Sequence, residues 1–182
     1  MEPSGTTSVD ARSFDGKGDH SGGGFQFKAA TGLHWVVRDR KKEKVMLSSG
    51  SMEDRWLIRE LVESYNDAVM RFDGEAWASN WTEDAVWHLP GAGDVQGRAT
   101  ILTVWQGAMS AFGYVGFFAS AGPIHVDGDT ATGTWYQQEF LHGKDGSQRS
   151  VTGRYQDDYI KQDGRWYFKR RVYEVLNSET KD

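Results

Sequence analysis

Three Asp-Gly dipeptides, Asp127-Gly128, Asp145-Gly146 and Asp163-Gly164, punctuate the C-terminal part of the chain. Asp-Gly supplies the positive φ angles that a tight hairpin needs, so three in register specify a four-stranded antiparallel meander. The segments between them, Val115 to Val126, Thr130 to His142, Ser150 to Lys161 and Trp166 to Leu176, are rich in aromatic and β-branched residues, as strands require.

The chain before this meander follows a different period. Ile58, Leu61, Val62, Tyr65, Val69 and Phe72 recur at three-to-four spacing, one face of an amphipathic helix beginning near Met52. Asp73-Gly74 ends it, and Asp73 can cap a short second helix carrying Trp77 and Trp81. Asp84 to Leu89 reads as a strand closed by Pro90-Gly91. Ile101, Trp105, Ala108, Met109 and Phe112 fall on one face of a third helix, Arg98 to Phe112. Helix, helix, strand, helix and four strands make an α+β domain, and the concave face of a curved sheet is a natural pocket.

Residues 1–51 stand apart. They hold eight glycines, no sustained apolar period and a basic run, Arg38 to Lys44, with a net charge of +2. Such a segment buries too little apolar surface to offset its ordering entropy, so a flexible tail is expected. Leu33 to Val37 is its one short strand-like stretch. The domain is expected over 52–177 and a C-terminal tail over 178–182.

Composition narrows the chemistry. Net charge is −5, so no overall positive field recruits nucleic acid or an anionic membrane. There is no cysteine, which removes disulfides, thiolate metal sites and cysteine nucleophiles. No apolar run approaches the ~20 residues of a membrane span, and the N-terminus lacks a secretory core, so a cytoplasmic location is expected. No histidine pair has ligand spacing and no glycine-rich phosphate loop follows a strand, so no metal or phosphate-bearing cofactor is expected.

The element order, with Tyr65, TEDAVW (Thr82 to Trp87), VDGDTATG (Val126 to Gly133), GRYQDDY (Gly153 to Tyr159) and DGRWYF (Asp163 to Phe168), resembles the SnoaL-like branch of the nuclear-transport-factor-2-like superfamily. The resemblance covers roughly Met52 to Asn177. It implies a cone-shaped α+β barrel, three N-terminal helices packed on a curved antiparallel sheet, with a pocket between the helices and the inner sheet face. It also implies cofactor-free lyases and isomerases that move a proton with an Asp–His pair or a carboxylate and hold an oxyanion with tyrosine. Tyr65 matches the tyrosine of the first helix, and Glu139 in WYQQEF matches a strand acid of dehydratase-like members. The aspartate five residues after the tyrosine is replaced by Met70, and no histidine occurs in Phe117 to Ser120. The steroid-isomerase base would fall near Leu89, beside His88.

Glu139, Tyr65 and His88 are therefore the candidate catalytic residues. Alternation leaves Glu139 open to either face, because Trp135, Gln137, Glu139 and Leu141 share one side and Tyr136, Gln138, Phe140 and His142 the other. Buried, its carboxyl rises toward neutral pH and serves as acid or base; outward, it pairs with a neighbouring strand. Val86 and His88 share one face and Trp87 and Leu89 the other, so His88 and Trp87 cannot both enter the cone. Arg170 and Arg171 lie on opposite faces, and either one pairing with Glu139 would lower its pKa. Trp87, Trp105, Phe117, Trp135 and Tyr155 are expected to line a substrate pocket.

The expected activity is a cofactor-independent dehydration or isomerisation of a bulky, apolar, oxygenated small molecule of polyketide, steroid or terpenoid type. A non-catalytic small-molecule-binding protein is the alternative. A homodimer is expected, associating through Trp135/Tyr136 and Trp166/Phe168, with no nucleic-acid or membrane partner.

Overall fold

A computed structural model describes residues 48–181. The tail expected over 1–51, including the strand-like Leu33 to Val37, lies outside the described residues up to residue 47. Helix α1 spans Met52–Met70, α2 Gly74–Ala78 and α3 Arg98–Met109; strands β1 to β6 span Trp81–Leu89, Gly93–Gln96, Phe112–Asp127, Thr130–Gly143, Gln148–Gln162 and Arg165–Lys181. The residues after Asn177 up to Lys181 therefore continue the last strand.

The ends of α1 are set locally. The Asp54 amide donates to the Ser51 hydroxyl at 3.2 Å, and Glu53 and Asp54 lie in the first turn, where the helix dipole favours negative charge. Phe72, read from spacing as part of the apolar stripe, instead leaves the helix with a left-handed φ of 57°. Asp73 caps α2, accepting the Ala76 amide at 2.9 Å. Trp81, expected on that helix, opens β1 and is fully buried.

The meander forms as its turns dictate, with Gly128, Gly146 and Gly164 all at positive φ. The sheet order is β2-β1-β6-β5-β4-β3. β6 is thus central, antiparallel to β5 and parallel to β1, with Val86 opposite Arg170 and Trp87 opposite Arg171. The parallel β1–β6 pairing departs from the antiparallel expectation, and β2, four residues long, was not expected from the sequence. Ser49 forms a single parallel bridge to His125 on the edge strand β3.

The inner sheet face and α1 share the core. Ile58, Val62, Tyr65, Trp77, Trp81 and Phe168 are almost wholly buried. Trp77 contacts Trp81, Trp87 and Trp105, stacking on the last at 4.8 Å and 15°. Aromatic pairs of this kind contribute about 0.5–1.5 kcal/mol each beyond the area they bury.

Candidate acid–base site in the cone

Glu139 lies on β4 on the side that carries Trp135 and Gln137, opposite Phe117 on β3 and Val151 on β5. Trp135 and Gln137 are 4% and 2% exposed, while Tyr136 on the other face is 47% exposed. The carboxylate therefore points into the cone, at a level where it is only partly open. Burial pushes its carboxyl up to about 7, opposed only by the Arg149 guanidinium. Arg149 stands opposite Leu141 on the same face and donates to the Ser178 hydroxyl at 2.8 Å.

Three tyrosines lie within electrostatic range of this carboxylate: Tyr65 from α1, Tyr155 from β5 and Tyr173 from β6. Tyr65 packs 5.7 Å from Phe117, the register partner of Glu139. Tyr155 and Tyr173 stack at 4.8 Å. Burial raises all three phenols, and Arg171 works against that rise at Tyr65 and Tyr155. All three are therefore protonated at neutral pH and available as hydrogen-bond donors.

Arg171 is the interior's second charge. It is 1% exposed, and its guanidinium lies 3.9, 4.1 and 4.5 Å from the ring centres of Tyr155, Phe168 and Tyr65. Nε and Nη2 donate to Asp157 at 2.9 and 3.1 Å. Tyr159 donates to Asp157 at 2.7 Å and accepts the Trp135 indole N–H at 2.7 Å. Nη1 is buried with no partner among the described residues. Arg171 is thus committed to Asp157 and Arg170 faces outward, 3.4 Å from Asp94, so neither arginine pairs with Glu139.

Beside Glu139, Gln137 donates through Nε2 to the Tyr173 hydroxyl at 2.6 Å, and its Oε1 is buried and unpaired among the described residues. The bond crosses over Gly153: a Cβ there would lie 2.4 Å from Tyr173 Cε2 and 2.6 Å from Gln137 Nε2.

The structure brings Glu139 and Tyr65 together and leaves His88 out. His88 is on the outer face of β1, its Nδ1 2.6 Å from Asp94 on β2, while Trp87 takes the inward position. Trp87, Trp105, Phe117, Trp135 and Tyr155 are all buried. Trp135, Trp166 and Phe168 therefore cannot form the outer association surface expected of them. Of the residues named for it only Tyr136 is exposed, and that face also carries the exposed Tyr114, Phe118 and Phe140. Tyr173 and Arg149 went unnoticed in the sequence, although both share the inner face of their strands with residues that were considered. Among the described residues no group of three His, Asp or Glu side chains is placed to hold a metal ion.

Residues 50–172 match the SnoaL-like domain model. The chain belongs to the SnoaL-like family. No curated protein matches it in sequence. Its fold is similar to that of a hexachlorocyclohexane dehydrochlorinase, LinA type 2, at TM-score 0.64 and 17% identity over 71% of this chain and 90% of that one. A Novosphingobium aromaticivorans protein proposed to be an aromatic ring hydroxylase gives TM-score 0.68 and 26% identity, over 73% and 96% of the two chains. Another from the same organism, proposed to be a scytalone dehydratase, gives 0.64 and 19%, over 70% and 87%. The SnoaL-like chain thus shares the curved-sheet cone of these proteins, and a shared fold leaves the chemistry to be argued from the site. No helix among its described residues is long and apolar enough to cross a membrane.

Proposed function

We propose that the cone is a cofactor-free acid–base site that dehydrates or isomerises a bulky, apolar, oxygenated small molecule of polyketide, steroid or terpenoid type. The observation that supports this most is Glu139: a carboxylate without a paired base, inside an aromatic wall, with its pKa pushed up to about 7. A base poised there abstracts a proton at neutral pH. In a dehydration, Glu139 takes the proton from the carbon next to a carbonyl, Tyr65 and Tyr155 donate to the enolate oxygen, and the protonated Glu139 returns its proton to the departing β-hydroxyl. The products are the enone and water. Preorganised phenol donors in a dry site stabilise such an oxyanion more than water would. His88 takes no part, and Trp87, Trp105, Phe117 and Trp135 shape the apolar walls.

The test is the conversion of an aryl β-hydroxy ketone to its enone, followed by absorbance. Wild type should turn it over and Glu139→Gln should not; equal rates in both would refute the role of Glu139. A non-catalytic binder is the competing reading, favoured by the lack of an imidazole beside Glu139. It predicts binding of the ketone with no enone formed. A cytoplasmic homodimer associating through the Phe118 and Phe140 face belongs to the same proposal.

A further inference from the structure

Among the described residues the indole N–H groups of Trp77, Trp81 and Trp87, the donor Arg171 Nη1 and the acceptor Gln137 Oε1 are buried in the interior without partners. The glutamine oxygen is the most informative of these, because it lies on the face of β4 that carries Glu139 and the rest of its side chain is fixed. Gln137 is 2% exposed, and its Nε2 is committed to Tyr173 at 2.6 Å. That bond joins β4 to β6 across the intervening β5 strand. It exists only because position 153 has no side chain: Tyr173 and Gln137 close over the space a Cβ would fill. Three positions on three strands thus hold one amide so that its oxygen is buried and unused. Buried acceptors are nearly always satisfied, so this one calls for a donor that the described chain does not supply.

We propose that Gln137 Oε1 accepts a hydrogen bond from a hydroxyl of the ligand, and that the Gln137–Tyr173 pair over Gly153 makes the cone select hydroxylated ligands over their ether or deoxy counterparts. Gln137 and Glu139 are two residues apart on one face of β4, a separation of ~6.6 Å along a strand. A ligand lying along the strand therefore places the selected hydroxyl about four or five carbon–carbon bonds from the atom that Glu139 addresses. A hydroxylated carbonyl compound fits this pair, with its hydroxyl on Gln137 and its acidic C–H on Glu139. The inference rests on the cone being the ligand site, as proposed above, and adds which functional group is read there.

Calorimetric titration of the full chain with β-naphthol and with its methyl ether tests it. The two probes share an apolar body and differ in one donor. Wild type should prefer β-naphthol by about tenfold, the effect of one buried hydrogen bond. Gln137→Leu should bind the two equally while keeping the affinity for the ether. Tyr173→Phe, which removes only the anchor of the amide, should also shrink the preference, and it decides the matter if Gln137→Leu does not fold. A preference retained in both variants, or none in wild type because a resident water already fills the acceptor, overturns the inference and leaves the role of Glu139 standing. Failure of both probes to bind overturns the cone as a ligand site, and both proposals fall with it.

Discussion

Asp157 and Arg171 are register partners on β5 and β6, and their side chains repeat the pairing with hydrogen bonds of 2.9 and 3.1 Å. Both are almost wholly buried. Removing one partner leaves the other charge stranded, which costs about 3–5 kcal/mol. Asp157→Asn and Arg171→Met should each lose stability of that order in urea unfolding. The double variant should lose less than the sum of the two. Single-variant losses below about 1 kcal/mol would mean that water reaches the pair.

Glu139 should make the protein less stable as pH rises through neutrality. Folding lifts its pKa from 4.5 to about 7, so between these values the folded chain holds a proton that the unfolded chain has released. The stabilising contribution is full below 4.5 and is lost as pH climbs through about 7, amounting to at most about 3 kcal/mol. Glu139→Gln should therefore be more stable than wild type at pH 8 by roughly 1–3 kcal/mol and should match it near pH 4. Parallel stability–pH curves for the two proteins would show a solvated carboxylate.

Gly153→Ala and Gly164→Ala should differ in kind. At Gly153 the new methyl meets Tyr173, Gln137 and the Glu174 carbonyl at 2.4 to 2.9 Å, overpacking that costs typically 1–3 kcal/mol. At Gly164 nothing lies within 4 Å and only the φ of +80° is unfavourable, a cost of about 1 kcal/mol. Thermal melts give the comparison. Tyr173→Phe combined with Gly153→Ala should lose less than the two changes separately only if the clash acts through the Gln137–Tyr173 bond.

On the outer face, Phe118 and Phe140 meet edge to face at 6.3 Å and are 55% and 38% exposed. If this face joins two copies, Phe118→Asp with Phe140→Asp should convert a dimer to a monomer in sedimentation at micromolar concentration. A wild type that is already monomeric there would refute the interface.

The four long strands were legible because each Asp-Gly turn is a local signal. The helices were legible from their apolar stripes. β2 was not, since Gly93 to Gln96 has only Val95 to mark a buried face. The cone's charges were harder to place. A register shift near Lys169 and Arg170 lets Phe168 and Arg171 face inward together, which strict alternation from Trp166 and Phe168 forbids. The same shift sets the side of Tyr173. Glu139 was ambiguous because polar and aromatic residues occur on both sides of its strand; its side is settled by the burial of Trp135 and Gln137. Arg149 was overlooked because the strand was expected to begin one residue after it, whereas β5 begins at Gln148.

The central place of β6 has a consequence for how the protein is made. Its seventeen residues are the last of the described chain, yet they join β1–β2 to β5–β4–β3. Until they leave the ribosome the two parts of the sheet have no hydrogen-bonded link, and the tryptophan cluster built on Trp77, Trp81 and Trp87 lacks the Phe168 wall. Such long-range closure is slow and exposes apolar surface while it waits. Nascent chains stalled before Arg165 should therefore engage chaperones strongly, and release should coincide with the emergence of β6.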